Sequence, residues 1–258
     1  MSDIIDNKSA FVDIKNIMLT CNIQEMAVCE FEYVKEHLLE CRAKERLPKD
    51  ARSIIIAAFP YRVEQTPPKN ISRYAAVPDY HTVCGKMLES AVQQLRAAYP
   101  ENKFEWFIDN SPIPEVAAGV HAGLGRRGEN GLLINEKYGS FVFLGEIVTD
   151  LEIEPEKGAK NDKKCLDCGQ CKAACPINLN KADCLSAVNQ KKKGLTTEQI
   201  GQIKQSGCVW GCDICGEVCP MNKNTEPTYI EEFVSGYRKE YQPNENSEGR
   251  AYNWRGED

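Results

Sequence analysis

The sequence predicts an α+β chain, α/β-like in its alternation. A sheet-and-helix domain over residues 1–151 precedes a compact cysteine domain over 152–222 and a polar tail over 223–258. Two observations carry this. Short apolar runs alternate with stretches of helical period as far as about residue 150, and mixed sheet-and-helix packing is what such alternation builds. Nine of the thirteen cysteines then fall between Cys165 and Cys219, beyond a charged, glycine- and proline-containing connection from Glu152 to Lys164.

Taken in order, residues 22 to 41 read as a helix. Asn22 with Glu25 three residues on resembles a capping box, and Ile23, Met26, Ala27, Phe31, Val34 and Leu38 recur at helical spacing. Cys21, Cys29 and Cys41 accompany it as small apolar fillers. Ser53 to Phe59, centred on three isoleucines and closed by Pro60, reads as a buried strand. A polar loop from Arg62 to Asn70 follows. Residues 80 to 98 return to helical period through Val83, Met87, Leu88, Ala91 and Leu95. Phe104 to Ile108 is a second strand, and Asp109-Asn110-Ser111-Pro112 turns out of it. Pro114 to Leu124 is a short helix. Leu132 to Ile134 and Phe141 to Val148 read as a hairpin around Glu136-Lys137-Tyr138-Gly139. The two cysteine runs are the internal repeat that the sequence displays.

The first of those runs, Cys165-x2-Cys168-x2-Cys171-x3-Cys175-Pro176, has the spacing of bacterial ferredoxins. Two-residue gaps let three thiolates converge on one iron–sulfur cube, and the fourth, before proline, ligates a different cube. One run therefore implies two 4Fe-4S clusters and a second source of ligands. Cys208-x3-Cys212-x2-Cys215-x3-Cys219-Pro220 supplies it, with Cys184 between the two runs, so nine thiols are offered for eight places. A zinc site would stop at four ligands and has no use for the third cysteine or the Cys-Pro ending. Disulfides are disfavoured in a long acidic chain whose amino terminus shows no basic-then-apolar leader, which points to a reducing, cytoplasmic setting.

At 258 residues, 42% hydrophobic and 27% charged, the chain has the composition of an ordinary globule with a substantial core. No apolar run approaches the roughly 20 residues that span a bilayer, so no membrane partner is expected. The net charge of -6 argues against a broad nucleic-acid footprint and leaves only local basic pairs and triples, Arg126-Arg127 and Lys191-Lys192-Lys193.

Four segments, in order, are Ser72-Arg73-Tyr74-Ala75 with Asp79-Tyr80-His81; Ile108-Asp109-Asn110-Ser111-Pro112; Ala122-Gly123-Leu124-Gly125; and Gly139-Ser140-Phe141-Val142-Phe143-Leu144-Gly145-Glu146-Ile147. With the double cysteine run, and with Cys184-Leu185-Ser186, Gln190 to Gly194 and Gly211 to Cys215, they resemble the epoxyqueuosine reductase family from about residue 70 to 222. These are cobalamin- and iron–sulfur-dependent reductases that complete queuosine in transfer RNA. The resemblance implies that the first domain, with the cluster domain, holds cobalamin with its cobalt near one cluster. It implies that Cys165, Cys168, Cys171 and Cys219 hold one cube and Cys175, Cys184, Cys212 and Cys215 the other, leaving Cys208 spare. It places a proton-donating catalytic acid at Asp109 and cofactor or substrate contacts at Asp79, His81 and Ser186. Without it, Asp109 reads as a turn residue and His81 as a surface or capping group.

Under that reading a low-potential donor such as ferredoxin or flavodoxin feeds one cluster, the second passes electrons to the cobalt, and transfer RNA is among the partners. Asp109 acts as general acid, for which a partly buried carboxyl is expected. The chain departs from the family pattern where Arg126, Arg127, Gly128, Glu129 and Asn130 replace the usual Trp, Ile, Gly, Lys and Asn. It also ends soon after the clusters, where longer members carry a helical-repeat segment that helps grip RNA. The alternative is a ferredoxin-like carrier or reductive activator serving a partner protein, which has no need of residues 70 to 148.

Overall fold

A computed structural model describes residues 7–155, 164–191 and 194–241. Most of the connection from Glu152 to Lys164, two of the three consecutive lysines, and the tail beyond 241 lie outside the described residues.

Four antiparallel strands form the sheet: β1 (Glu25–Glu30), β2 (Ser53–Pro60), β3 (Phe104–Ile108) and β4 (Val142–Thr149), in the order β1-β2-β4-β3. Every residue of β2 is buried because both faces of the sheet are covered. Ile55, Ala57 and Phe59 point to one side, with Ile147 of β4, against α1 (Asn7–Thr20) and α2 (Tyr80–Ala98). Ile54, Ile56 and Ala58 point to the other, with Phe107 and Val148, against α3 (Glu115–His121) and the turns around Phe31 and Leu133. The result is a three-layer α+β core. This is why β2 reads as an unbroken apolar run, whereas an antiparallel strand with one wet face alternates.

Two expected elements are replaced. The helix over 22–41 is instead strand β1, followed by a short helical turn at Phe31–Val34 and a 3-10 turn at Lys35–His37. Asn22 starts nothing; it takes φ 60° and ends α1, where Ile23 N–H donates to the Met18 carbonyl at 2.9 Å. The apolar spacing misleads because β1 buries residues on both faces, Val28 toward one core and Cys29 toward the other. Helix α1 is an element that the reading above leaves out, and Ala10, Ile14 and Met18 line its fully buried stripe. The hairpin of 132–134 with 141–148 does not form either. Leu133–Ile134 pairs with Arg126–Arg127, while β4 runs between β2 and β3.

The cysteine lobe is pinned to this sheet by the Ser72–Ala75 segment. Ser72 N–H donates to the Trp210 carbonyl at 2.9 Å, Arg73 N–H to Asp213 Oδ2 at 2.6 Å, and the Arg73 guanidinium pairs with Glu217. A second clasp joins Ser140 N–H to Asn222 Oδ1 at 2.9 Å, and Asn222 returns a bond to Ser140 Oγ at 2.8 Å. Gly139 makes room for it: its φ is +62°, and a Cβ there would fall 2.2 Å from Asn222 Oδ1.

Residues beyond 222 lack a pattern in the sequence, yet those up to 241 fold back over the sheet domain. Ile230 and Phe233 are fully buried in the same core as α1 and α2. Phe233→Ala should therefore cost about 3–5 kcal/mol, read as a lowered urea midpoint by circular dichroism. An unchanged midpoint would mean that this strap is dispensable.

Candidate functional site

Asp79 stands immediately before α2 and caps it, accepting from His81 N–H at 3.0 Å. The same oxygen lies 2.7 Å from His81 Nδ1, and His81 Nε2 lies 3.3 Å from Asp109 Oδ2. The capping role and a site role thus belong to one side chain. Flanked by two carboxylates, His81 has its pKa raised above the usual imidazole value, chiefly by the Asp109 hydrogen bond and then by Asp79, with burial opposing. Asp109 sits at the end of β3 with φ 60°, a left-handed conformation that aspartate tolerates better than most residues and that recurs at functional turns. Its side chain is 64% exposed, so the expected partial burial is not supplied by the chain itself.

Tyr80 lies flat on Phe143, with ring centroids 4.2 Å apart and planes 6° apart, and its hydroxyl is hydrogen-bonded to Asp109. Tyr74 meets the edge of the same Phe143 ring at 6.5 Å. Beyond Tyr74 lies Ser186, whose Oγ is 3.2 Å from the tyrosine hydroxyl, with Gln190 Nε2 donating to both. An aromatic patch from Tyr74 through Phe143 to Tyr80 therefore joins Ser186, on the cysteine lobe, to His81 and Asp109 on the sheet lobe.

A pocket of about 210 Å³ opens beside this patch, lined by Tyr80, Asp109, Glu115, Leu132, Ser140 and Phe143 among others. Behind Glu115 lies Glu146, at the centre of β4 and fully buried. The sequence pattern singles out neither glutamate. The available signal was Glu146 itself, one charge inside the apolar run from Phe141 to Val148.

The cysteines fall into two groups. Cys165, Cys168, Cys171 and Cys219 line one pocket. Asp167 and Gly169, both with positive φ, curl the loop around it. Glu129 lines it too, 3.9 Å from Cys171 Sγ, and helps burial to raise that thiol. In the second group, Cys215 is pushed up to about 11 by burial, with Cys212, Cys175 and Cys184 contributing. Cys212 likewise rises to about 11 by burial, with Cys208 and Cys184 nearby. Among the described residues no three of these sulfurs lie within 4.8 Å of one another, whereas thiolates around one tetrahedral zinc ion stand about 3.8 Å apart. Widely spaced soft donors fit cubes better than single ions. Ser140 links the two regions, since its partner Asn222 also bonds the carbonyl of Gly216, next to Cys215.

The profile of the family described as epoxyqueuosine reductase QueG, DUF1730, matches residues 42–110, which include Asp79, His81 and Asp109. An epoxyqueuosine reductase of Lactococcus garvieae is 32% identical over 251 residues, spanning 84% of this chain and 70% of the relative. This chain belongs to the epoxyqueuosine reductase family. Its counterpart from Synechocystis is 34% identical over 205 residues, spanning 74% of this chain and 69% of the relative. Among solved structures, the epoxyqueuosine reductase of Streptococcus thermophilus superposes with a TM-score of 0.70 at 25% identity, over 84% of this chain and 67% of that one. An epoxyqueuosine reductase holding an epoxyqueuosine-modified tRNA-Tyr stem loop shares the fold, with a TM-score of 0.74 at 23% identity, over 87% and 68%. Among the described residues of this epoxyqueuosine reductase family member, no helix is long and apolar enough to cross a membrane.

Proposed function

We propose that this chain is an oxidoreductase that removes the epoxide oxygen of epoxyqueuosine in transfer RNA. The observation that carries the reading is the Asp79–His81–Asp109 chain opening into a pocket of the sheet lobe beside the aromatic patch that leads to Ser186. Cys165, Cys168, Cys171 and Cys219 would hold one 4Fe-4S cluster, and Cys175, Cys184, Cys212 and Cys215 the other, in a ferredoxin-like lobe. Asp79, His81 and Ser186, ranged around the aromatic patch, would contact cobalamin held by the sheet domain. When bound, the clusters carry single electrons inward and the corrin cobalt supplies the electron-rich centre that reduces the substrate.

The chain's own groups supply the rest. His81, held by Asp79, orients the Asp109 carboxyl toward the pocket, and Asp109 delivers a proton to the oxygen of the opening epoxide. Its exposure suits a group that is desolvated only when cofactor and substrate close over it. Electrons would enter from a low-potential ferredoxin or flavodoxin. An electron carrier needs neither the pocket nor the Asp109 chain, which is why the reductase reading is preferred.

Expressed in a bacterium lacking its own reductase, the chain should restore queuosine in transfer RNA, measured by nucleoside mass spectrometry. Persistence of epoxyqueuosine, with both clusters present and a shifted corrin spectrum on mixing with cobalamin, would assign the redox core to another substrate.

A further inference from the structure

The epoxide reduction consumes more protons than Asp109 can give in one turnover. Both ring C–O bonds break, a C=C bond forms, and the oxygen leaves as water, taking two electrons and two protons. The electrons come from the low-potential donor of the proposed function, and one proton from Asp109. We propose that Glu115 and Glu146 share a single buried proton and that Glu115 delivers it into the Asp109 pocket as the second proton of the reduction. The inference rests on the reading of Asp109 as the first donor.

The geometry is specific. Glu146 points from the middle of β4 toward α3, where its cross-strand neighbours Ile56 and Phe107 are apolar. Glu115 begins α3 and reaches the pocket wall that Asp109 and Tyr80 also line. If both were carboxylates, Glu115 Oε1 and both oxygens of Glu146 would be buried acceptors facing each other, with the Ser111 hydroxyl beside Glu146 to offset them. One proton between them turns that repulsion into a hydrogen bond between the two side chains. The other groups facing the pair are Ser111, whose hydroxyl favours the ionised form of Glu146, and Asp109, whose charge opposes ionisation of Glu115. Tyr80 stands between Asp109 and Glu115 and interacts with both. Burial is the largest influence on each glutamate; it raises Glu115 to about 7 and Glu146 well above its usual range. The desolvation that keeps a carboxyl protonated at neutral pH is thus found here rather than at the exposed Asp109. Glu115, on the pocket wall, is the donor, and Glu146 is a positioning residue that acts through it.

The first test needs no variant. Infrared spectra of protein carrying carboxyl-¹³C glutamate should show a protonated-carboxyl band at neutral pH, a label that excludes Asp213 and Asp109. Its absence would overturn the proposal. Glu115→Gln and Glu146→Gln keep shape, so iron content and thermal midpoint should match the parent, and the band should shift in each single variant and vanish in the double variant. Each should lower the single-turnover rate about 10²-fold, at the low end for general acids, with substrate affinity kept. The pair goes from two protons to one through about 7 and keeps the shared proton above it. The parent rate should therefore hold through neutral pH and fall only where that last proton is lost, and Glu146→Gln should shift that limb. Gln variants reacting at the parent rate with the parent pH profile, while Asp109→Asn is slow, would sink this inference alone. An unimpaired Asp109→Asn would instead remove the reading beneath it.

Discussion

Asp109→Asn is expected to slow single-turnover reduction of epoxyqueuosine in a transfer RNA stem loop by about 10²- to 10⁴-fold, roughly 3–5 kcal/mol of barrier. Asparagine tolerates the φ of 60° found here and still reaches His81, so backbone and pocket should be preserved. What is lost is the transferable proton. Iron content and cobalamin affinity should therefore match the parent, and the defect should lie in the chemical step rather than in binding. Asp109→Ala is a poorer probe because it also places a residue without a local hydrogen-bonding side chain in a strained conformation. Chemistry at the parent rate with normal cobalamin binding would remove Asp109 from the mechanism. Asp79, the other carboxylate bonded to His81, would then be the group to test.

How far the sequence reveals this site depends on the range of the interactions involved. Helix α2 and strands β2 and β3 are visible because one local pattern, a stripe or a short apolar run, agrees with the tertiary burial. Asp109 is visible through the family resemblance alone, since a strand end before a proline reads by itself as a turn. Strand β1 is hidden, since burial on both faces produces an apolar spacing that a helix would also give. The pairing of Leu133–Ile134 with Arg126–Arg127 is hidden for another reason: two neighbouring apolar segments look like hairpin partners, yet β4 finds a longer register between β2 and β3. The burial of Phe233 is invisible because a few apolar residues in a polar stretch bind a groove made by distant elements. The same holds for Glu115 and Glu146, whose coupling arises from a strand and a helix that tertiary packing alone brings together. Glu129, a departure from the family pattern, proves to face Cys171 rather than the Asp109 pocket, so its charge acts on the cysteine lobe.

Cys184→Ser is expected to cost one of two cubes, while Cys208→Ser leaves about eight irons per chain, the content of two four-iron clusters. The two thiols compete for one place, and their surroundings separate them. Cys184 adds to the charge felt by both Cys212 and Cys215, as a member of one ligand set must. Cys208 approaches Cys212 as well, but its Sγ lies 3.4 Å from the Trp210 carbonyl oxygen and 3.3 Å from that of Gly211. Carbonyl oxygens stabilise a thiol that donates a proton and repel a thiolate. An iron ligand must be a thiolate. Anaerobic reconstitution followed by iron and sulfide analysis reads the count, and paramagnetic resonance of the reduced protein reads whether coupling between two clusters survives. If Cys208→Ser loses a cluster and Cys184→Ser does not, the assignment is exchanged, and the Trp210–Gly211 turn must open to release the Cys208 sulfur.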